Sequence, residues 1–107
     1  MAKALEKTKE NKANRLDEAV NLMKVLGHPL RLSILCNLIH NGEMTAGDLC
    51  AAEAPRFSQS QVSQYLGILR EMGYVATRRE GQTIWYDISD EKVKRTVETL
   101  YGLYCGA

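Results

Sequence analysis

Apolar positions recur along this chain at two spacings, and the change from one to the other divides it into elements. Leu16, Ala19, Val20, Met23 and Leu26 fall three and four residues apart, which puts them on one face of a helix that Gly27 ends. Pro29 suits the first position of a second helix, because its missing N–H would have no partner there. Leu30, Ile34, Leu35 and Leu38 form that helix's stripe, and Asn41 and Gly42 close it. A short third helix is predicted from about 45 to about 53, with Thr45 as N-cap and Asp48 as an acidic capping-box partner. Leu49 and Cys50 face inward there, and Pro55 follows. The strongest start signal comes next: Ser58 as N-cap, Gln61 as its reciprocal partner, and Phe57 with Val62 as a hydrophobic staple. Val62, Leu66 and Leu69 carry the buried face of this fourth helix and Gly73 terminates it, so Ser60, Gln61, Ser63 and Gln64 are left on its outer side.

After Gly73 the period becomes two. Tyr74 to Arg79 and Gln82 to Ile88 alternate as strands joined at Glu80 and Gly81, which predicts a β-hairpin. Ile84, Tyr86 and Ile88 share one face, Thr83 and Trp85 the other. Ser89 reads as the cap of a last helix whose stripe is Val93, Val97, Leu100 and Tyr104. The order α-α-α-α-β-β-α describes a mainly α fold with one β-hairpin. It occupies residues 16–107, behind a basic segment, residues 1–15, that reads as a mobile arm or a frayed helix extension.

Length and charge narrow this picture. A chain of 107 residues holds one domain, and one this small often completes its core by pairing with a copy of itself. Leu16, Val20 and Met23 of the first helix, with Val97, Leu100 and Tyr104 of the last, are the candidates for a homodimer interface. The formal net charge of +1 conceals blocks: +3 over residues 1–15, −3 over 16–55, +2 over 56–86 and −1 over the remainder. The first fifteen residues lack the apolar stretch of a signal peptide, and nowhere do about 18 apolar residues run together. A cytoplasmic protein with no membrane part is expected. The odd set of Cys36, Cys50 and Cys105, widely spaced, fits reduced thiols rather than a disulfide framework.

A short helix, a turn and a second helix opening on exposed Ser and Gln make a helix-turn-helix, and the hairpin that follows makes it winged. Ser58, Gln59, Ser60, Gln61, Ser63 and Gln64, with Tyr65 in mid-helix, are the candidates for reading double-stranded DNA in the major groove. Capping and solubility are their plainer alternative. Arg78, Arg79 and Gln82 have the composition of a wing along a phosphate backbone, although charges on an edge strand also block aggregation. Arg56 is a further phosphate candidate, whereas Arg70 pairs or points to solvent. The chain has no C-x-x-C, no phosphate loop and no nucleophile–base arrangement, which speaks against an enzyme.

Three segments, LGHPLRLSILC over 26–36, SQSQVSQYLGILR over 58–70 and RREGQTIWY over 78–86, resemble the ArsR/SmtB family of dimeric repressors. The resemblance runs from about residue 16 to the end and implies a winged helix fold, a dimer made by the first and last helices, and repression relieved by an inducer. Two-fold symmetry then implies an inverted-repeat operator. Many members carry histidine where this chain has Tyr65. A metal-sensing branch resembles Glu-Leu-Cys-Val-Cys, but residues 48–52 read DLCAA and lack the second thiolate; another uses histidines on the last helix, where residues 89–107 have none. His28 and His40, at the ends of the second helix, read as a capping and a surface residue, so no metal or cofactor is expected. Cys36 and Cys105 resemble the thiol pair of the sulfide- and redox-responsive BigR/SqrR/HlyU-like branch. That likeness implies reactive sulfur species as inducer and a disulfide or polysulfide bridge as the switch. Taken alone, Cys36 also fits a small buried hydrophobe, and Cys50 fits core or the remnant of a metal box. A metal-responsive repressor using Cys50 and unidentified ligands is the alternative.

Overall fold

The computed structural model describes the backbone of residues 2–106 and the side chains of residues 12–106. Its elements run α1 (Ala2–Leu26), α2 (Pro29–Asn41), β1 (Met44–Thr45), α3 (Ala46–Glu53), α4 (Gln59–Glu71), β2 (Val75–Glu80), β3 (Thr83–Ile88) and α5 (Glu91–Tyr104). The winged helix-turn-helix expected from the periodicity is present. The backbone of residues 2–15 is helical and continuous with the amphipathic stretch from Leu16; the side chains of Lys3, Lys7 and Lys9 lie outside the described residues.

Local chemistry accounts for most boundaries. His28 caps α2, its Nδ1 accepting the Leu30 N–H at 3.2 Å. Thr45 with Asp48 and Ser58 with Gln61 form reciprocal capping boxes at α3 and α4, satisfying backbone N–H groups that a helix start leaves without partners. Phe57 and Val62 both join the core beside the second box. α4 ends in a Schellman arrangement: Gly73, at φ +77°, lets its own N–H reach Arg70 O and the Tyr74 N–H reach Leu69 O. The cap of α5 differs from the expectation. Asp90, not Ser89, takes the role, because one carboxylate oxygen accepts from both the Lys92 and Val93 N–H. Ser89 instead donates its hydroxyl to Gly73 O at 2.9 Å, tying the end of β3 to the end of α4.

The sheet holds one strand more than the pattern revealed. The order is β1-β3-β2, all antiparallel, with the two-residue β1 pairing Met44 to Tyr86 and Thr45 to Trp85. Glu80 pairs with Thr83, so the turn residues are Gly81 and Gln82 rather than Glu80 and Gly81. Gly81 has φ +62° and Gln82 a negative φ, as in the type II′ turn, which needs glycine first. Tyr86 and Ile88 pack against the core, while Ile84, near the tip, stays exposed.

The core gathers Leu30, Ile34 and Leu35 of α2, Leu49 of α3, Val62 and Leu69 of α4, and Val93 and Val97 of α5. Val97 is therefore interior to one protomer, not at a subunit surface, since it lies on the same inward stripe as Val93. Leu100 is half-buried. Besides Met72 and Ile84, the exposed large apolar side chains among the described residues are Leu16, Val20 and Met23 on α1 and Leu103 and Tyr104 on α5, with Met23 71%, Leu103 73% and Tyr104 81% exposed.

Candidate nucleic-acid interface and thiol pair

The first two turns of α4 present Gln59, Ser60, Gln61, Ser63 and Gln64 to solvent, because Val62 and Leu66 hold the opposite face in the core. Ser58 and Gln61 are also occupied in the capping box: Ser58 Oγ accepts the Gln61 N–H at 3.2 Å and Gln61 Oε1 accepts the Ser58 N–H at 2.9 Å. Gln64 carries no such duty in the cap and is the stronger candidate for reading a base edge.

Tyr65 turns away from this row. It is half-buried against the start of α2, its hydroxyl 3.1 Å from His28 Nε2 and the two rings 4.6 Å apart. His28 Nδ1 already accepts the Leu30 N–H, so in the neutral ring Nε2 carries the proton and donates it to Tyr65 Oη. Arg31 covers the other side at 5.4 Å from the Tyr65 ring, itself anchored on Val25 O and Lys24 O. Tyr65 thus locks the rotation of α4 to the α1–α2 junction instead of joining the outward row.

On the wing, Arg78 and Arg79 are successive strand residues and point to opposite faces. Arg78 is engaged within the protein, Nε 2.8 Å from Glu43 and Nη1 2.8 Å from Glu80. These hydrogen bonds, Glu43's foremost and then Glu80's, push its pKa further up. Arg78 is exposed and its ion pairs with Glu43 and Glu80 are exposed too, so it braces the wing in the free protein and remains a candidate phosphate contact. Arg79 is exposed, with Nε on Gly81 O at 3.0 Å, and Gln82 is exposed beside it. Arg56 is exposed too, its guanidinium 5.0 Å over Phe57 at the entrance to α4. Arg70 lies exposed in the last turn of α4, as expected.

The thiols Cys36 and Cys105 lie on α2 and at the end of α5, two helices that pack on each other. Tyr101 Oη lies 2.7 Å from His40 Nδ1. Cys36 stands one turn before His40 on α2 and Cys105 one turn after Tyr101 at the end of α5, so each thiol lies one turn from the contact that joins the two helices. The electrostatic reach of Cys105 to Cys36 agrees with this placement. Cys36 is half-buried and Cys105 exposed at the C-cap of α5; both are free thiols. Burial, then the charge on Cys105, then that on Glu53 raise the Cys36 pKa above its ordinary value. Cys50, half-buried on α3, packs at the margin of the core. Among the described residues, no group of three or more His, Cys, Asp or Glu side chains could hold a metal ion, and no single helix is long and apolar enough to cross a membrane.

Sequence reasoning missed Glu53, the buried carboxylate of α3, which accepts a hydrogen bond from Ser33 Oγ, 2.8 Å from Oε2. The signal was available: Glu53 follows Leu49 by four residues, on the inward stripe of the helix.

Comparison with known proteins agrees with this architecture. Residues 28–77 match the family described as bacterial regulatory protein, arsR family. A biofilm growth-associated repressor of Xylella fastidiosa is 39% identical over 98 residues, which cover 92% of this chain and 83% of the relative. The transcriptional activator HlyU of Vibrio cholerae is 43% identical over 90 residues, covering 84% and 81%. The crystal structure of the transcriptional repressor BigR from Xylella fastidiosa superposes with a TM-score of 0.75 at 37% identity, over 92% of this chain and 98% of that one. With a winged helix-turn-helix whose second helix presents Ser and Gln outward, the chain belongs to the ArsR family of DNA-binding transcriptional regulators.

Proposed function

We propose that this chain is a homodimeric repressor that binds an inverted-repeat operator through α4 and the wing, and releases it when Cys36 and Cys105 become bridged by a disulfide or a short chain of sulfur atoms. The observation that supports the reading is the Tyr101–His40 contact between α5 and α2, which has Cys36 one turn away on one helix and Cys105 one turn away on the other. The two helices lead to the two features that matter for DNA. α2 holds Tyr65 of the recognition helix through His28 and Arg31, and α5 carries Leu103 and Tyr104 on the uncovered apolar surface that, with Leu16, Val20 and Met23, suits a second copy of the chain.

A bridge between the thiols links subunit geometry to the recognition helix. A direct disulfide requires Cα atoms within about 7 Å, and each added sulfur lengthens the bridge by about 2 Å, so reactive sulfur species reach this geometry more easily than a simple oxidant. A coupling of about 1–3 kcal/mol is enough to lower operator affinity up to about a hundredfold. The test is fluorescence anisotropy on operator DNA with reduced and polysulfide-treated protein. Reduced protein binds and treated protein releases; serine at Cys36 or Cys105 gives a repressor that ignores the donor, whereas serine at Cys50 leaves the response intact. Release by the Cys105→Ser variant, or loss of response in Cys50→Ser alone, would assign the switch to other residues.

A further inference from the structure

Glu53 has no part in the DNA interface or in the thiol bridge, yet the fold buries its charged side chain to 5% exposure. Among the described residues, only the Ser33 hydroxyl is bonded to its carboxylate, and a carboxylate withdrawn from water against one neutral donor is costly to keep. Its location gives the cost a purpose. Ser33 lies on α2 one turn before Cys36, and Glu53 comes from α3 on the inward stripe set by Leu49, so the carboxylate stands over the stretch of α2 that holds the less exposed thiol.

We infer that Glu53, held by Ser33, is a positioning residue that keeps Cys36 in reserve, so that Cys105 takes the first sulfur atom and Cys36 closes the bridge only afterwards. This inference rests on the thiol-bridge reading above and gives it an order. Cys105 is exposed at the end of α5, where a donor reaches it directly. Cys36 is half-buried, lies one turn after the Ser33 that holds the Glu53 carboxylate, feels the charges of Cys105 and Glu53, and has His40, bonded to Tyr101, one turn along its own helix. Burial and both negative neighbours oppose its thiolate, which is the reactive form.

The donor class is an organic hydropersulfide. The Cys105 thiolate attacks its terminal sulfur, the donor S–S bond breaks, a thiolate leaves, and Cys105 carries a persulfide. Cys36 then loses its proton to solvent and attacks Cys105 Sγ, forming the disulfide and expelling hydrosulfide. If a second donor molecule first converts Cys36 to a persulfide, its terminal sulfur makes the same attack, and a trisulfide forms with loss of the same hydrosulfide. The early persulfide on Cys105 is a state that one donor molecule creates, and the slower Cys36 decides whether one or two are consumed before the bridge closes.

Pulsed alkylation of the reduced full-length chain, read by peptide mass spectrometry across a pH series from about 6 to about 10, follows each thiol separately. Cys105 should react several-fold faster than Cys36 near neutral pH. Glu53→Gln keeps the shape and the Ser33 contact but removes the charge; it should speed Cys36 by about threefold or more and move its pH midpoint down. Glu53→Asp keeps the charge but disturbs the packing, and should leave Cys36 slow; a merely structural role gives the opposite pattern, slow in Gln and fast in Asp. With one equivalent of glutathione persulfide, the first adduct should map to Cys105 in the wild type and to both thiols in Glu53→Gln. A first adduct on Cys36 in the wild type, or an unchanged Cys36 profile in Glu53→Gln, overturns the inference. Both measurements are made without DNA, so they stand or fall separately from operator release, which tests the regulatory reading.

Discussion

The Tyr101 hydroxyl lies 2.7 Å from His40 Nδ1, a bond that joins α5 to α2 across 61 residues of sequence. It fixes the rotation of the two helices relative to each other at the turn next to both thiols. Tyr101→Phe keeps the ring and removes the bond. The contact is exposed, so the stability loss should be small, about 0.5–1 kcal/mol by thermal unfolding. Bridge formation should slow by about threefold or more, because the thiols lose part of their pre-set geometry. Unchanged closure kinetics by mass spectrometry would remove this bond from the switch.

The recognition row makes a prediction that separates two glutamines of the same type. Gln64→Ala should lower operator affinity by about 1–3 kcal/mol and relax base preference without moving the melting temperature, if its amide makes a bidentate contact with a base. Gln61→Ala should also cost stability, by about 0.5–1 kcal/mol, because Gln61 Oε1 accepts the Ser58 N–H in the capping box. Equal losses on operator and random DNA for Gln64→Ala would contradict readout by that side chain.

Much of this was legible in the sequence because it rests on short-range rules. The capping boxes at Thr45 and Ser58, the Gly73 terminus and the apolar stripe of α2 involve residues within a few positions of each other, and periodicity finds them. What was missed depends on residues far apart in the chain. β1 is two residues long and exists only because Tyr86 and Trp85 pair with it. Ser89 and Asp90 both suit an N-cap, and the choice turned on the Gly73 carbonyl sixteen residues away. Val97 and Tyr104 share one helical stripe, but α2 covers the first and leaves the second open, a difference no single-helix pattern contains. The proposed thiol pair was legible only through the family resemblance, since no local spacing links Cys36 to Cys105 and the contact nearest both, Tyr101 with His40, spans 61 residues.

The wing offers a contrast in salt dependence. Both guanidinium groups are exposed, but Arg79 bonds only to Gly81 O among the described residues, while Arg78 is paired with Glu43 and Glu80. Arg79→Ala should weaken binding on all sequences and reduce the salt slope by about 1, the signature of one lost phosphate contact. Arg78→Ala should leave the salt slope nearly unchanged and act through a looser wing. A slope change in Arg78→Ala as large as in Arg79→Ala would make Arg78 a phosphate contact as well.

For assembly, the informative positions are the uncovered ones. Met23→Glu on α1 should give a monomer by sedimentation, with loss of operator binding and an unchanged fold by circular dichroism, because the charge enters the proposed dimer face but not the protomer core. A charge at Val97, which is fully buried, should unfold the protomer instead. A dimeric Met23→Glu protein would place the interface elsewhere.

Tyr65 distinguishes holding the recognition helix from reading DNA with it. Its hydroxyl accepts from His28 Nε2, its ring lies under Arg31, and both partners belong to the start of α2. Tyr65→Phe preserves the ring contacts and leaves the half-buried His28 N–H without its acceptor, a loss of about 1 kcal/mol in stability. Because α4 is then less firmly set against α2, affinity should fall on operator and scrambled DNA alike, with the ratio between them unchanged. Bridging Cys36 to Cys105 should also weaken DNA binding by a smaller factor in this variant, since the path from α2 to α4 has lost one of its two anchors on Tyr65. Anisotropy with reduced and bridged protein on both DNAs measures all three quantities. A selective loss on the operator, with wild-type stability and a full response to bridging, would mean that Tyr65 contacts a base directly.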